Sequence, residues 1–343
     1  MLAYILKRLL LMLPTLFGVL LLTFVVIQFV PGGPVEQYLA EARAGAGGAV
    51  AEGGGLAYRG AQGVDEKRLA EIKKLYGFDK PAHERFWLML KNYARFDLGR
   101  SFFQNKDVWQ LIREKLPVSI SLGLWTFFIS YGISVPLGVA KAVRAGSRFD
   151  LVTTLLVLAG YAIPGFVLGG ALLGGFGGQL GWVPPRGVTS GNWDELRWPA
   201  RIVDYLWHIT LPVTAMVMGS FAVTAMLTKN SFLEEIRKQY VLTARAKGLS
   251  ERQELWKHVF RNALIPIVTG FSAAFIGAFF TGALLIETLF SLDGLGLLSY
   301  ESVIRRDYPV VLGTLYLFTL IGLVTKLVSD LTYVWVDPRV KFD

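Results

Sequence analysis

YVLTARAKGLSERQELWKHVFRNALIP, running from Tyr240 to Pro266, is a basic segment held between two long apolar runs, roughly Ile209–Leu227 and Leu264–Phe290. Four more runs of the same kind lie at roughly Leu9–Val30, Val118–Ala140, Leu151–Gly178 and Val310–Trp335. Each is long enough to cross ~30 Å of hydrocarbon at ~1.5 Å per residue. Lipid offers the backbone no hydrogen bonds, so each run is expected to be helical, and the period-2 alternation of barrel strands is not seen. The reading is an all-α multi-pass membrane protein with six transmembrane helices, in which the quoted segment is a loop on one face.

Composition agrees with a lipid surround. The 343 residues are 53% hydrophobic and 18% charged, more apolar than a soluble core of this size requires. The net charge of +9 gathers in particular loops, as membrane topology demands, and not on a basic face suited to nucleic acid. With no Cys, disulfides and thiolate chemistry are excluded. His83, His208 and His258 lie far apart and show no metal-ligand spacing.

Charge also orients the spans. Lys7 and Arg8 precede the first run, which is too long for a signal peptide and is followed by Pro31-Gly32-Gly33-Pro34, not a small-x-small cleavage site. The segment from Lys141 to Asp150 carries Lys141, Arg144 and Arg148 against one acid, and Lys229 to Arg261 carries eight Lys/Arg against four Glu. Gln179 to Trp207 and Ser291 to Tyr308 have no basic excess. The second and fourth loops therefore join the N-terminus in the cytoplasm, and six spans put the C-terminus there too. The expected division is a tail and first helix over 1–30, a periplasmic loop region over 31–116, helices two to six over 117–335 with a cytoplasmic loop at 229–262, and a tail over 336–343.

The first loop is too long for a connector. Its Gly/Ala-rich tract, 42–63, is expected to be mobile. VDEKRLAEIKKLYG reads as a short helix capped by Asp65 and ended by Gly77. Phe86, Trp87, Tyr93, Phe96, Phe102, Phe103 and Trp109 follow, either as packing with an interfacial belt or as a small cap that receives a partner.

In the cytoplasmic loop, SFLEEIRKQYVLTARAKG has helical spacing, with Ser231 and Glu234 at capping-box distance. Gly248 ends the pattern, and Ser250 can cap a second helix reaching Phe260. The alternative is a solvated basic loop. Caps together with helical spacing favour a folded element that passes force to a soluble partner.

Here the sequence resembles the permease subunits of ATP-binding-cassette importers, whose Glu-Ala-Ala-x-x-x-Gly loop docks into an ATPase subunit. The matching window is Leu242 to Gly248: the Gly and one Ala agree, while Leu242 and Thr243 replace the Glu and first Ala. TARAKGLSE with RNALIP is similar to the dipeptide/oligopeptide branch. The resemblance covers nearly the whole chain through YILKRLLLMLPTLFGVLLLTF, PGGP, YGFDKP, FDLGRS, LPVSISLGLW, GYAIPGF, HITLPV and FSLDGLG. PGGPVEQ, SRFD, DYLWHITLPV and RRDYPV bring it nearest to the microcin C/oligopeptide (Yej-type) permeases. The resemblance implies a type I importer permease architecture in the bacterial inner membrane and translocation of peptides or peptide-like compounds by alternating access. It implies docking of the ATPase through Thr243, Ala244, Arg245, Ala246, Lys247, Gly248, Leu249 and Ser250, with Arg245 and Lys247 meeting acids on that partner. The implied partners are cytoplasmic ATP-binding subunits that hold ATP and Mg, a second and different permease, and a periplasmic solute-binding protein. The chain itself has no G-x-x-x-x-G-K-[ST] loop to cradle phosphate, so no cofactor and no ATPase activity are expected in it.

Within the spans, Gly160 to Phe166 places Pro and Gly in an apolar run and loosens the helix there, making Tyr161, Pro164 and Phe166 candidates for the path. Gly169, Gly170, Gly174, Gly175, Gly177 and Gly178 either pack helices closely or line a pore. Glu287 either faces the path, to meet a peptide amino group, or reaches the outer interface. Lys326 is expected to snorkel. An ion-coupled secondary transporter would need paired intramembrane acids, and a membrane enzyme a convergent catalytic site; neither pattern stands out. Glutathione and chelated nickel remain alternative cargoes within the branch.

Overall fold

The computed structural model describes residues 2–29, 79–280 and 283–336. The Gly/Ala tract at 42–63 and the helix expected over 64–77 lie outside them. The helices are α1 (Leu2–Phe29), α2 (Ala82–Tyr93), α3 (Val108–Val143), α4 (Arg148–Ala162), α5 (Gly165–Gln179), α6 (Trp198–Ile236), α7 (Gln239–Ala246), α8 (Glu251–Ala263), α9 (Ile265–Phe280), α10 (Leu284–Phe290), α11 (Leu295–Arg305) and α12 (Tyr308–Val336). Among the described residues there is no strand, only an isolated bridge between Arg100 and Asp107.

Four helices, α1, α3, α6 and α12, are long and apolar enough to cross a membrane, and two bent pairs, α4–α5 and α8–α9, bring the number to six. Apolar side chains such as Leu22, Leu156 and Val203 are turned outward, as lipid allows. The third apolar run is not one straight span. Ile163 is extended (ψ 118°) before Pro164, and the chain turns by 91° between α4 and α5. The residue before a proline is pushed out of the helical region, and the proline ring removes the N–H that would continue the ladder. The fifth run likewise divides into α9 and the short α10, and α3 begins at Val108, earlier than the Val118 read from hydropathy.

Two compact units are formed. The described residues of one lie within 1–10, 115–298 and 320–343. Its core gathers Leu122 of α3, Ile209, Leu211, Val213, Ala215 and Val217 of α6, Ile286 and Phe290 of α10, with Val183 and Leu292. Glycine lets helices approach: a Cβ on Gly138 of α3 would lie 2.5 Å from Thr228 Cβ and 2.7 Å from the Ala225 carbonyl oxygen of α6. The 39 residues of α6 span ~58 Å at ~1.5 Å per residue, about twice the ~30 Å of hydrocarbon, so the helix must project beyond it.

The other unit has its described residues within 11–114 and 299–319. Phe86 of α2 packs on Phe17 and Phe24 of α1, with ring centroids 5.7 and 5.2 Å apart. Tyr93 meets Tyr316 at 5.0 Å. The FDLGRS and RRDYPV segments are joined: Asp307 accepts the Ser101 hydroxyl and the Phe102 backbone N–H. Phe86 and Tyr93 thus serve packing, while Trp87, Phe96 and Phe103 stay exposed.

Candidate functional site

The Tyr240–Pro266 segment folds as a helical hairpin. The helix expected to start at Ser231 does not start there. α6 runs on to Ile236, because Lys229 is held by an ion pair and Phe232 is fully buried, so Ser231 is an interior helical residue and not a cap. α7 then begins after Lys238. It ends at Ala246, and the chain turns at Gly248, whose φ of +86° suits a residue without Cβ and whose N–H donates to the Arg245 carbonyl at 2.9 Å. Ser250 opens α8, its N–H donating to Gln253 Oε1 at 3.1 Å in a capping-box pairing.

The hairpin is seated by its apolar side. Val241, Val259 and Ala263 close on Phe232 of α6 and Ala142 of α3, with Leu255 and Phe260 packed around them. Polar links hold its two arms. Arg245 gives a two-pronged bond to Glu254, Nη2 to Oε2 at 3.0 Å and Nε to Oε1 at 3.2 Å, and Glu254 is itself buried. This pairing raises the Arg245 pKa above the ordinary guanidinium value. Tyr240 donates to Glu235 Oε2 at 2.6 Å and accepts from Asn262 Nδ2 at 3.3 Å; burial, then the Glu235 carboxylate, pushes its hydroxyl pKa up.

Of the eight residues expected to dock, Thr243, Arg245, Ala246, Lys247, Gly248 and Ser250 are exposed, Leu249 is half-buried and Ala244 is turned into the hairpin core. Arg245, expected to meet an acid on a partner, already has one within the hairpin. Sequence reasoning missed two exposed apolar residues beside them, Leu242 and Trp256, at 48% and 56% exposure.

The path candidates separate. Tyr161, Pro164 and Phe166 are exposed at the α4–α5 break. Glu287, expected at the path or the outer interface, is instead enclosed, with no exposed surface. Its Oε1 accepts from Ser119 Oγ at 3.0 Å and its Oε2 from the Leu297 N–H at 2.9 Å, so its carboxylate caps the start of α11. Gly169 packs against α10, whereas Gly170, Gly174 and Gly175 have open space where a Cβ would stand.

The described residues thus form apolar, partly broken helices with a folded polar hairpin seated on α3 and α6. The family of binding-protein-dependent transport system inner membrane components matches residues 134–342, from the second half of α3 onward. The chain belongs to this permease family. The peptidoglycan transport system permease protein YejB of Agrobacterium fabrum is 53% identical, over 99% of this chain and 98% of that one. The inner membrane ABC transporter permease protein YejB of Escherichia coli O157:H7 is 51% identical over 99% of each. The di/tripeptide transport system permease protein DppB of Pseudomonas aeruginosa is 34% identical, again over 99% of each. Among solved structures, the inward-facing MetNI methionine ABC transporter has the same fold at 16% identity, with a TM-score of 0.51, covering 66% of this chain and 97% of that one. The permease is thus a membrane protein of type I importer fold.

One cluster in the permease escaped sequence reading. Lys141, Asp150 and Lys229 stand in the segments whose charge orients the spans, yet Lys141 is completely buried and Asp150 nearly so. Lys141 Nζ donates to the Asp150 carbonyl at 3.1 Å, Thr153 Oγ1 at 2.9 Å and Thr154 Oγ1 at 2.6 Å. Lys229 Nζ donates to both Asp150 carboxylate oxygens, at 2.6 and 2.8 Å. The available signal was position: each of the three stands at the edge of an apolar run.

Proposed function

We propose that this chain is one permease subunit of an ATP-driven importer that moves peptides or peptide-like compounds into the cytoplasm by alternating access. The observation that carries this reading is the α7–α8 hairpin: a folded, exposed, capped element seated on the end of a transmembrane helix. A solvated loop needs no such core. Peptidoglycan and di/tripeptide systems among the named relatives support a peptide-like cargo.

The chain lacks a phosphate-cradling loop, so ATP with its Mg is assigned to separate cytoplasmic subunits. They dock on the surface from Thr243 to Ser250, with Leu242 and Trp256 as apolar anchors. A second, different permease completes the pore, and a periplasmic solute-binding protein delivers cargo. Both termini are cytoplasmic by the balance of loop charge. Tyr161, Pro164 and Phe166, at the break between α4 and α5, are assigned to the moving wall of the path, since a broken helix offers a hinge and free backbone groups.

The test is purification of the tagged chain with its partners, followed by uptake of a labelled tripeptide into proteoliposomes. ATP-dependent accumulation with hydrolysis in the co-purified subunits is expected. Accumulation driven by an ion gradient without ATP would make the chain a secondary transporter.

A further inference from the structure

The charges of Lys141 and Asp150, both buried, and of the half-buried Lys229 lie outside the residues assigned to docking and to the path. Lys141 is in the last turn of α3, Asp150 in the first turn of α4 and Lys229 two turns before the end of α6. Every proton of the Lys141 ammonium has an acceptor close by, and its Nζ also lies 3.3 Å from Asp150 Oδ1. The Gly146 N–H adds a bond to Asp150 Oδ2 at 3.1 Å, fixing the turn between α3 and α4. One cation and one anion are thereby enclosed and a second cation is half-buried beside them, an arrangement that costs desolvation and favours one relative placement of the three helices.

Those ends have neighbours of consequence. Ala142, next to Lys141, and Phe232, three residues after Lys229, belong to the apolar cluster that seats the α7–α8 hairpin. Asp150 belongs to α4, the helix that leads to the 91° break at Ile163 and Pro164. One carboxylate thus joins the helix that carries the hairpin to the helix that carries the break.

We infer that Asp150 is a positioning residue for energy coupling: with Lys229 and Lys141 it clasps α6 to α4, so that displacement of the seated hairpin is delivered to the broken span. The inference rests on the proposed role of the chain as an ATP-driven permease. A clasp of this kind acts as a unit, since withdrawing either partner frees the same joint.

The experiment uses the complete importer in proteoliposomes, with a labelled tripeptide as probe, and reads peptide imported per ATP hydrolysed for each assembled complex. Asp150→Asn is expected to lower that ratio at least tenfold, with ATP hydrolysis and the yield of assembled complex within twofold of wild type. Lys229→Met should do the same, and the double variant should be no worse than either single one. An unchanged ratio in Asp150→Asn overturns the clasp, as does a double variant whose loss is the product of the single losses. Thr154→Val withdraws one acceptor from Lys141 without stranding a charge and covers the event that Asp150→Asn does not assemble: a reduced ratio supports the clasp and an unchanged one overturns it. A wild-type complex that hydrolyses ATP without importing peptide overturns the proposed function and the clasp's role with it, whereas coupled wild type beside coupled Asp150→Asn removes the clasp alone.

Discussion

Ser119 of α3 donates its hydroxyl proton to Glu287 of α10 at 3.0 Å, and the same oxygen accepts the Leu295 N–H at 2.8 Å. One small side chain thus mediates between a buried carboxylate and the first turn of α11. Ser119→Ala should cost roughly 1–3 kcal/mol, because a buried carboxyl oxygen and a backbone donor each lose a hydrogen-bond partner. Glu287→Gln should destabilise as well, since its amide NH2 would face groups that are themselves donors. Thermal unfolding in detergent checks both. Uptake of cationic and neutral peptides by Glu287→Gln should fall together, and selective loss of cationic cargo would return Glu287 to the path.

At Gly248 nothing lies within 4 Å of the position a Cβ would take, so the restriction there is φ and not space. A branched residue in this left-handed conformation costs about 1–2 kcal/mol, whereas Asn tolerates it better. Gly248→Val should therefore loosen the hairpin and reduce ATP-coupled uptake, with Gly248→Asn close to wild type. Equal uptake by both variants would remove the turn from the coupling role.

Gly138 and Gly132 stand on the same helix and make opposite predictions. A Cβ at Gly138 enters Thr228, but one at Gly132 meets nothing within 4 Å. Gly138→Leu should push α3 from α6 and cost about 1–3 kcal/mol or more, while Gly132→Ala should be neutral or stabilising by up to about 1 kcal/mol from helix propensity. Unfolding midpoints of the two variants provide the comparison.

Tyr240 supplies a pH dependence. Its hydroxyl pKa is raised in the folded state by burial and by Glu235. The sign follows from linkage: a group whose folded pKa exceeds its unfolded value of about 10 gives stability that is present below that value and lost as pH rises through the folded pKa. The hairpin should therefore weaken on the alkaline side of pH ~10. Tyr240→Phe should flatten that limb in a stability-versus-pH series, and an unchanged limb would assign it to other groups.

Local signals were read from the sequence with success where the chemistry is local. Apolar runs located the long helices, because lipid leaves the backbone no alternative. Gly248 and Ser250 marked the turn of the hairpin, since a positive φ and an N-cap depend on a few adjacent residues. Ser231 misled because the continuation of α6 is decided by distant partners, Asp150 for Lys229 and the hairpin for Phe232. The burial of Lys141 and of Glu287 is not legible for a related reason: a charge beside an apolar run can face water or turn inward, and only the neighbours on other helices select between these. The proline at position 164 was legible as a weak point, but the size of the bend was not.

The length of α6 has a mechanical meaning. A rod of ~58 Å that tilts by about 5° about one end moves its other end by roughly 5 Å, close to one helical pitch. Sub-ångström shifts at the hairpin need no amplification by loops if this helix swings as a body. Pro212, inside α6, removes one hydrogen bond of the ladder, so it is where such a rod would bend if it did not swing whole.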